Sequence, residues 1–278
     1  MYLFQKLKNN NHLINIIYIN IILFILIHVY YVLGFLMQSD TNLISYFGIS
    51  SNLDVLIKKP WTMITYMFIH EDLLHLLINL AWLYFGGKIF INYLSSKELL
   101  STYIMGGLSG ALLYILSFNI FPVFEIIKTH SLAIGASASV LSILFAAATQ
   151  TPNFPINLFL IKDVKLKHIA MMAIIIDILS ITEGNAGGHI AHIGGALYGF
   201  CYIYLKKYNI NTNAIIDKII SVSSQRQANF SYNRKENDYD YNARKNKEQR
   251  QIDYILDKIS ESGYDSLSKE EKDQLFNQ

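Results

Sequence analysis

Residues 132–144 read LAIGASASVLSIL. The run is apolar enough for a membrane helix, yet Ser137 and Ser139 stand near its start, among small residues and behind Gly135. Two readings are open. Small residues let membrane helices approach closely, which would make the serines packing residues. A serine at the mouth of an apolar helix is also a place for a nucleophile. The rest of the chain separates the two.

The 278 residues are 52% hydrophobic and 16% charged, with a mean hydropathy of +0.28. That is too apolar for an ordinary soluble domain and indicates a multi-span membrane protein. Charge is unevenly spread. Residues 1–210 hold 12 Lys, no Arg and 9 Asp/Glu, whereas 211–278 hold 11 Lys/Arg and 12 Asp/Glu. The expected organisation is an N-terminal segment 1–12, a membrane domain 13–207, a flexible linker 208–245 and a short helical segment 246–278. The tail is near neutral and has no basic stripe, which argues against nucleic acid. Cys201 is the single cysteine, so no intrachain disulfide is possible. No spacing suggests a zinc site.

A spanning helix needs about 20 apolar residues. Six stretches are expected to form spans: 13–37, 72–92, 97–118, 135–150, 167–182 and 189–206. The first follows Lys6 and Lys8, is too long for a signal-peptide core and lacks a small-residue cleavage site, so it is expected to be retained. Lysines set the direction. Lys6, Lys8, Lys88, Lys97, Lys162, Lys165, Lys167, Lys206 and Lys207 fall in alternate stretches between spans, all on one side of an even-span chain, which puts both termini in the cytoplasm. Loops 38–71 and 119–134 then lie outside. Their lysines, Lys58, Lys59 and Lys128, are expected to be matched by Asp54, Glu71 and Asp72, and by Glu125.

With this orientation the polar residues line up. His70, His75 and Asn79 open span two, Ser137 opens span four, and His189 and His192 open span six, all at the outward end. Membrane histidines are costly and face a bundle interior or a water-filled cavity. Serine needs a base, and histidine is the usual one, which pairs Ser137 with His192. Gly195 and Gly199 form a GxxxG that permits close helix approach, with His192 one turn earlier on the same face. His75 and Asn79, four residues apart, share a face and are expected to donate to an oxyanion; tying loops together is the plainer role. From Ser137 to Gln150 is about 20 Å of helix against a core of about 30 Å, so Ser137 should sit below the outer surface in a wet pocket.

These residues resemble the rhomboid intramembrane serine proteases. The resemblance rests on Gly135-Ala136-Ser137, on Ala191-His192-Ile193-Gly194-Gly195 with Gly199, on His70, His75 and Asn79, and on the loop Trp61, and it covers roughly 55–207. It implies a six-helix rhomboid bundle with a small helical cytoplasmic tail, and a Ser137–His192 dyad. His75 and Asn79 would stabilise the oxyanion, with Gly135, His70, Gly195, Gly199 and Trp61 in support. The implied activity is cleavage of membrane proteins in or near their transmembrane segments, without metal or cofactor. The wider pattern, tail included, looks most like Bacteroidetes-type bacterial members, which implies a bacterial plasma membrane. Two departures stand out. The family's Trp-Arg is Trp61-Thr62, and an aromatic residue often one turn after the serine is Leu141 here. A catalytically inactive rhomboid-like protein that binds membrane clients would lose the dyad residues, which this chain keeps. A transporter would show broken helices and midplane charges, and only Asp177 resembles that.

Asp177, in AIIIDILSI, is the acid expected well inside a span. A carboxylate there must be paired, hydrogen-bonded or protonated. It lies about 15 Å along the helix from Lys167, near the level of Ser137. The expected partner is His189 or the backbone of loop 183–188, which would fix span six; water or Ser180 is the plainer alternative. In the tail, Ile252, Ile255, Leu256 and Ile259 mark an apolar helix face, Gly263 a stop, and Ser268 with Glu271 a capping box. So small a helix pair is expected to dock on a cytoplasmic partner; a solvated tail is the alternative.

Overall fold

The four prolines, Pro60, Pro122, Pro152 and Pro155, all fall between the long apolar runs, so no long helix loses an internal hydrogen bond to one. The computed structural model describes residues 11–39, 42–157 and 163–210, with 212–214, 218, 255–256, 258–259 and 268 besides. The chain divides into two units, Met1–Ile220 and Ser221–Gln278. Among the described residues, the helices of 14 residues or more are α1 (His12–Leu36), α2 (Leu73–Tyr93), α3 (Ser96–Ile120), α4 (Ser137–Gln150), α5 (Leu166–Ser180) and α6 (Ala186–Lys206). Among them α1, α2 and α3 are long and apolar enough to cross a membrane.

Helix starts follow local chemistry. Asp72 caps α2 by accepting the His75 amide at 2.8 Å. Ser95 and Glu98 form a capping box on α3. Asn185 caps α6 from a left-handed conformation, φ 42°. The start of α4 differs: Ala136 occupies the cap position and offers no side-chain acceptor. The helical ladder begins only with the Val140 amide bonded to Ala136, which leaves the amides of Ser137, Ala138 and Ser139 outside it.

Helix α4 is the centre of the bundle, in contact with α2, α3, α5 and α6. Most of its buried residues are small, among them Ala138, Ser139, Ser142, Ala146 and Ala147. The Ser142 hydroxyl donates inside the protein, to Thr102 and to Ser139 carbonyls, which suits packing. Helix α6 runs close against α4 and α3. A Cβ built on Gly195 would lie 2.0 Å from the Ala138 carbonyl oxygen, and one on Gly199 2.0 Å from that of Ser142. The GxxxG is therefore a backbone-to-backbone crossing that no larger residue fits. At the other end Glu98 joins α3 to α6 through Tyr202, at 2.8 Å, and Lys206.

The long segment before α2 folds on itself through short helices at Ile44–Phe47, Leu53–Lys58 and Thr62–Thr65. Its strand β1 (Ile49–Ser50) pairs antiparallel with β2 (Leu132–Ala133) just ahead of α4. The Gly135 amide then donates to the Tyr66 carbonyl at 2.9 Å, while Tyr66 donates to Gly107 of α3 at 2.6 Å. These bonds tie the approach to α4 to two other parts of the bundle. Lys128 pairs with Glu125 at 3.2 Å. Lys59 takes another partner than the acids expected for it: it donates to the Ser45 carbonyl at 2.9 Å and lies over the Tyr46 ring.

Asn213 falls within the stretch expected as linker, but it is fully buried. It accepts from Tyr198 at 2.5 Å and donates to Thr102 at 3.2 Å, so packing continues past the end of α6. Of the tail, Ile255, Leu256, Lys258 and Ile259 are helical. Ile252, Gly263 and Glu271, on which the expected face, stop and capping box also rest, lie outside the described residues.

Candidate active site

Ser137, the first residue of α4, faces His192, which sits two turns into α6. Its Oγ lies 2.5 Å from the His192 Nε2. The close crossing at Gly195 and Gly199 makes this possible, because it brings the two helix backbones together one turn beyond the pair. The other ring nitrogen, Nδ1, lies 2.7 Å from Oδ1 of Asp177 on α5. The same carboxylate oxygen is 2.8 Å from Nδ1 of His189. Sequence reasoning pointed Asp177 at His189 and did not foresee the bond to His192. The signal was present: His189 and His192 are three residues apart on one helix face, so an acid that reaches one ring is close to the other.

Gly135 has φ +124°, and a Cβ there would lie 3.0 Å from the His75 ring and 3.6 Å from Ser137 Oγ. Glycine is thus required twice, by a backbone conformation that L side chains avoid and by the space between ring and hydroxyl. Asn79 donates one amide hydrogen to the His75 carbonyl at 2.9 Å; its amide carries a second donor. His75, Asn79, Ser137, Asp177 and His192 all line one cavity of about 510 Å³. Its remaining walls are chiefly apolar and include Ile78 and Trp82 of α2, Leu141 and Leu144 of α4, and Ala173 and Ile176 of α5. These wall residues were not singled out from sequence, although Ile78 and Trp82 follow at helical spacing from His75 and Asn79.

His70 and Trp61 stand outside the cavity. His70 is buried, with its ring 5.1 Å from that of His75, edge to face. Neither of its nitrogens has a hydrogen-bond partner among the described residues. Burial, with His75 nearby, pushes the His70 imidazole down to about 4. Trp61 donates to the Tyr46 carbonyl at 3.0 Å and packs at a tilt against the Tyr46 ring, bracing the segment before α2. Thr62, where an arginine was expected from the resemblance, is buried and bonds to the Lys59 carbonyl at 2.7 Å.

Residues 58–209 match the rhomboid domain. The chain belongs to the rhomboid family. Among curated relatives it is 27% identical over 146 residues to presenilin-associated rhomboid-like protein A, mitochondrial, of Danio rerio, covering 51% of this chain and 36% of that one. It is 29% identical over 144 residues to RHOMBOID-like protein 12, mitochondrial, of Arabidopsis thaliana, covering 49% and 43%. The chain thus spans well under half the length of these rhomboid relatives. Residues 235–277 match a separate family of unknown function, DUF6576, which overlaps the tail expected to be helical.

Asp177, His189 and His192 present ligand atoms within 4.8 Å of one another, the residue types of a metal site. Ligand atoms around a tetrahedral zinc at about 2.0–2.2 Å stand roughly 3.3 Å apart. The nitrogen–oxygen distances here are 2.8 and 2.7 Å, those of hydrogen bonds. In this rhomboid site the three side chains are thus joined by hydrogen bonds, with both rings on one carboxylate oxygen.

Proposed function

We propose that this rhomboid is an intramembrane serine endopeptidase that hydrolyses peptide bonds in or near transmembrane segments of other membrane proteins. The observation that carries the reading is the 2.5 Å contact between Ser137 Oγ and His192 Nε2 inside a largely apolar cavity. Ser137 gives its proton to His192 Nε2 as its Oγ bonds to the scissile carbonyl carbon. The resulting oxyanion takes hydrogen bonds from the His75 ring, the free Asn79 donor and the Ser137 amide. His192 passes the proton to the leaving nitrogen, and the C–N bond breaks. A water molecule then gives a proton to His192 and attacks the ester carbon, the bond to Oγ breaks, and Ser137 recovers its proton.

The substrate enters as an apolar segment, to match the cavity walls. We read the six long helices as six spans with both termini cytoplasmic, on the strength of the lysine distribution. Short α4, of 14 residues, then starts below the outer surface, where water can reach it. The motif pattern and tail favour a Bacteroidetes-type host and its plasma membrane, and a cytoplasmic partner for the tail. The test is cleavage of a panel of single-span reporters by the full chain in lipid vesicles. Wild type should cut at least one and Ser137→Ala none. Equal cutting by both, or binding without cutting by wild type, would reject protease function in favour of a client-binding rhomboid-like protein.

A further inference from the structure

We infer that Asp177 is a positioning residue for catalysis, which orients His192 toward Ser137, with His189 holding the carboxylate in place. The inference rests on the reading of Ser137 as nucleophile and His192 as base. Helix α5 buries only Leu166, Ala170 and Asp177 among its described residues. The spacing of four and seven makes one seam, and it faces the bundle. Met171, Met172, Ile175, Ile176, Ile178 and Leu179 on its other sides are exposed. Asp177 is thus the polar member of a seam that is otherwise apolar, a costly place for a carboxylate without partners.

Both partners are histidine Nδ1 atoms, and both meet the same oxygen, at 2.7 and 2.8 Å. An ionised carboxylate only accepts hydrogen bonds, so each Nδ1 must carry the hydrogen. A neutral His192 with its hydrogen on Nδ1 has its lone pair on Nε2, the atom facing Ser137 Oγ. The carboxylate therefore selects the one neutral tautomer able to accept the serine proton. Once that proton has moved, the imidazolium faces a negative charge in an apolar surround, where the attraction is strong. Asp177 stays ionised throughout, and no proton passes to it. His189 occupies the same oxygen from the preceding turn of α6, with its ring nearly perpendicular to that of His192, at 84°. It keeps the carboxylate from turning away while His192 cycles.

The test uses the full-length protein in lipid vesicles and compares wild type, Asp177→Asn and Asp177→Glu. The Asn variant keeps size and polarity but is free to place an N–H against Nδ1. We expect kcat on a cleaved reporter to fall about 10²- to 10⁴-fold with KM within about threefold, since loss of an equivalent carboxylate in a serine protease acts through the wrong tautomer. Glu should recover part of kcat. In a His192→Ala background the Asn substitution should change residual turnover no further. Ring-nitrogen NMR on histidine-labelled protein should place the His192 hydrogen on Nδ1 in wild type and on Nε2 in Asp177→Asn. That readout needs no turnover, so it holds even if the protease reading fails, and it applies to wild type alone if the variant does not fold. A hydrogen on Nε2 in wild type, or wild-type kcat in Asp177→Asn while Ser137→Ala is dead, overturns the inference and leaves the protease standing. Loss of activity to a chelator with recovery by zinc would overturn it too, since the trio would then be a metal site.

Discussion

Gly195 of α6 passes so close to Ala138 of α4 that a single added methyl would reach 2.0 Å from the Ala138 carbonyl oxygen. Ala138 follows Ser137 directly, and His192 is one turn before Gly195. The distance between the two helix backbones therefore sets the distance between the Ser137 hydroxyl and the His192 ring. A Gly195→Ala chain must push α4 and α6 apart, at a cost of about 1–3 kcal/mol for overpacking. We expect a drop of several degrees in melting temperature and more than 100-fold loss of reporter cleavage. Retained cleavage would mean that the helices do not meet this closely.

Asn79 tests the oxyanion assignment. One of its amide hydrogens is held by the His75 carbonyl, and the residue lines the cavity beside Ser137. Asn79→Ala should lower kcat by about 10²–10³ and leave KM nearly unchanged. Unchanged kcat on a well-cleaved reporter would return Asn79 to a purely structural role.

His70 makes stability depend on pH. Its imidazole is pushed down to about 4 in the folded protein, below the ordinary value near 6.5. The unfolded chain then binds more protons between these values, so stability is full above about pH 6.5 and falls as pH drops toward 4. The size is about 3 kcal/mol for a shift of this order. The melting temperature of wild type should fall across this window, and His70→Phe should fall less. Parallel curves would show that His70 is not the group responsible.

Asn213 separates two truncations. Chain ending after residue 220 keeps its bonds to Tyr198 and Thr102 and should cleave reporters like the full chain. Chain ending after residue 207 loses them and should melt at a lower temperature. Asn213→Ala should reproduce most of that loss, about 1–3 kcal/mol for stranded buried partners. Inactivity of the correctly inserted 1–220 chain would give the tail a direct part in function.

Much of this protein could be read from one-dimensional pattern. Apolar runs free of proline gave helix limits that match the structure within a few residues, because backbone hydrogen bonding and burial act over the same lengths that the runs display. The small residues at 135–138, 195 and 199 announced a close crossing, since absent side chains are visible in any sequence. What pattern could not decide was rotation and reach. Spacing pointed Asp177 at His189 alone, and only the turn of α5 about its axis and the rotamers of two rings put one oxygen between His189 and His192. Likewise Lys59 bonds to a carbonyl rather than to an acid. Residue identity and helical period determine which groups share a face; which of them touch depends on angstrom-scale placement of neighbouring backbones, and that belongs to the tertiary packing alone.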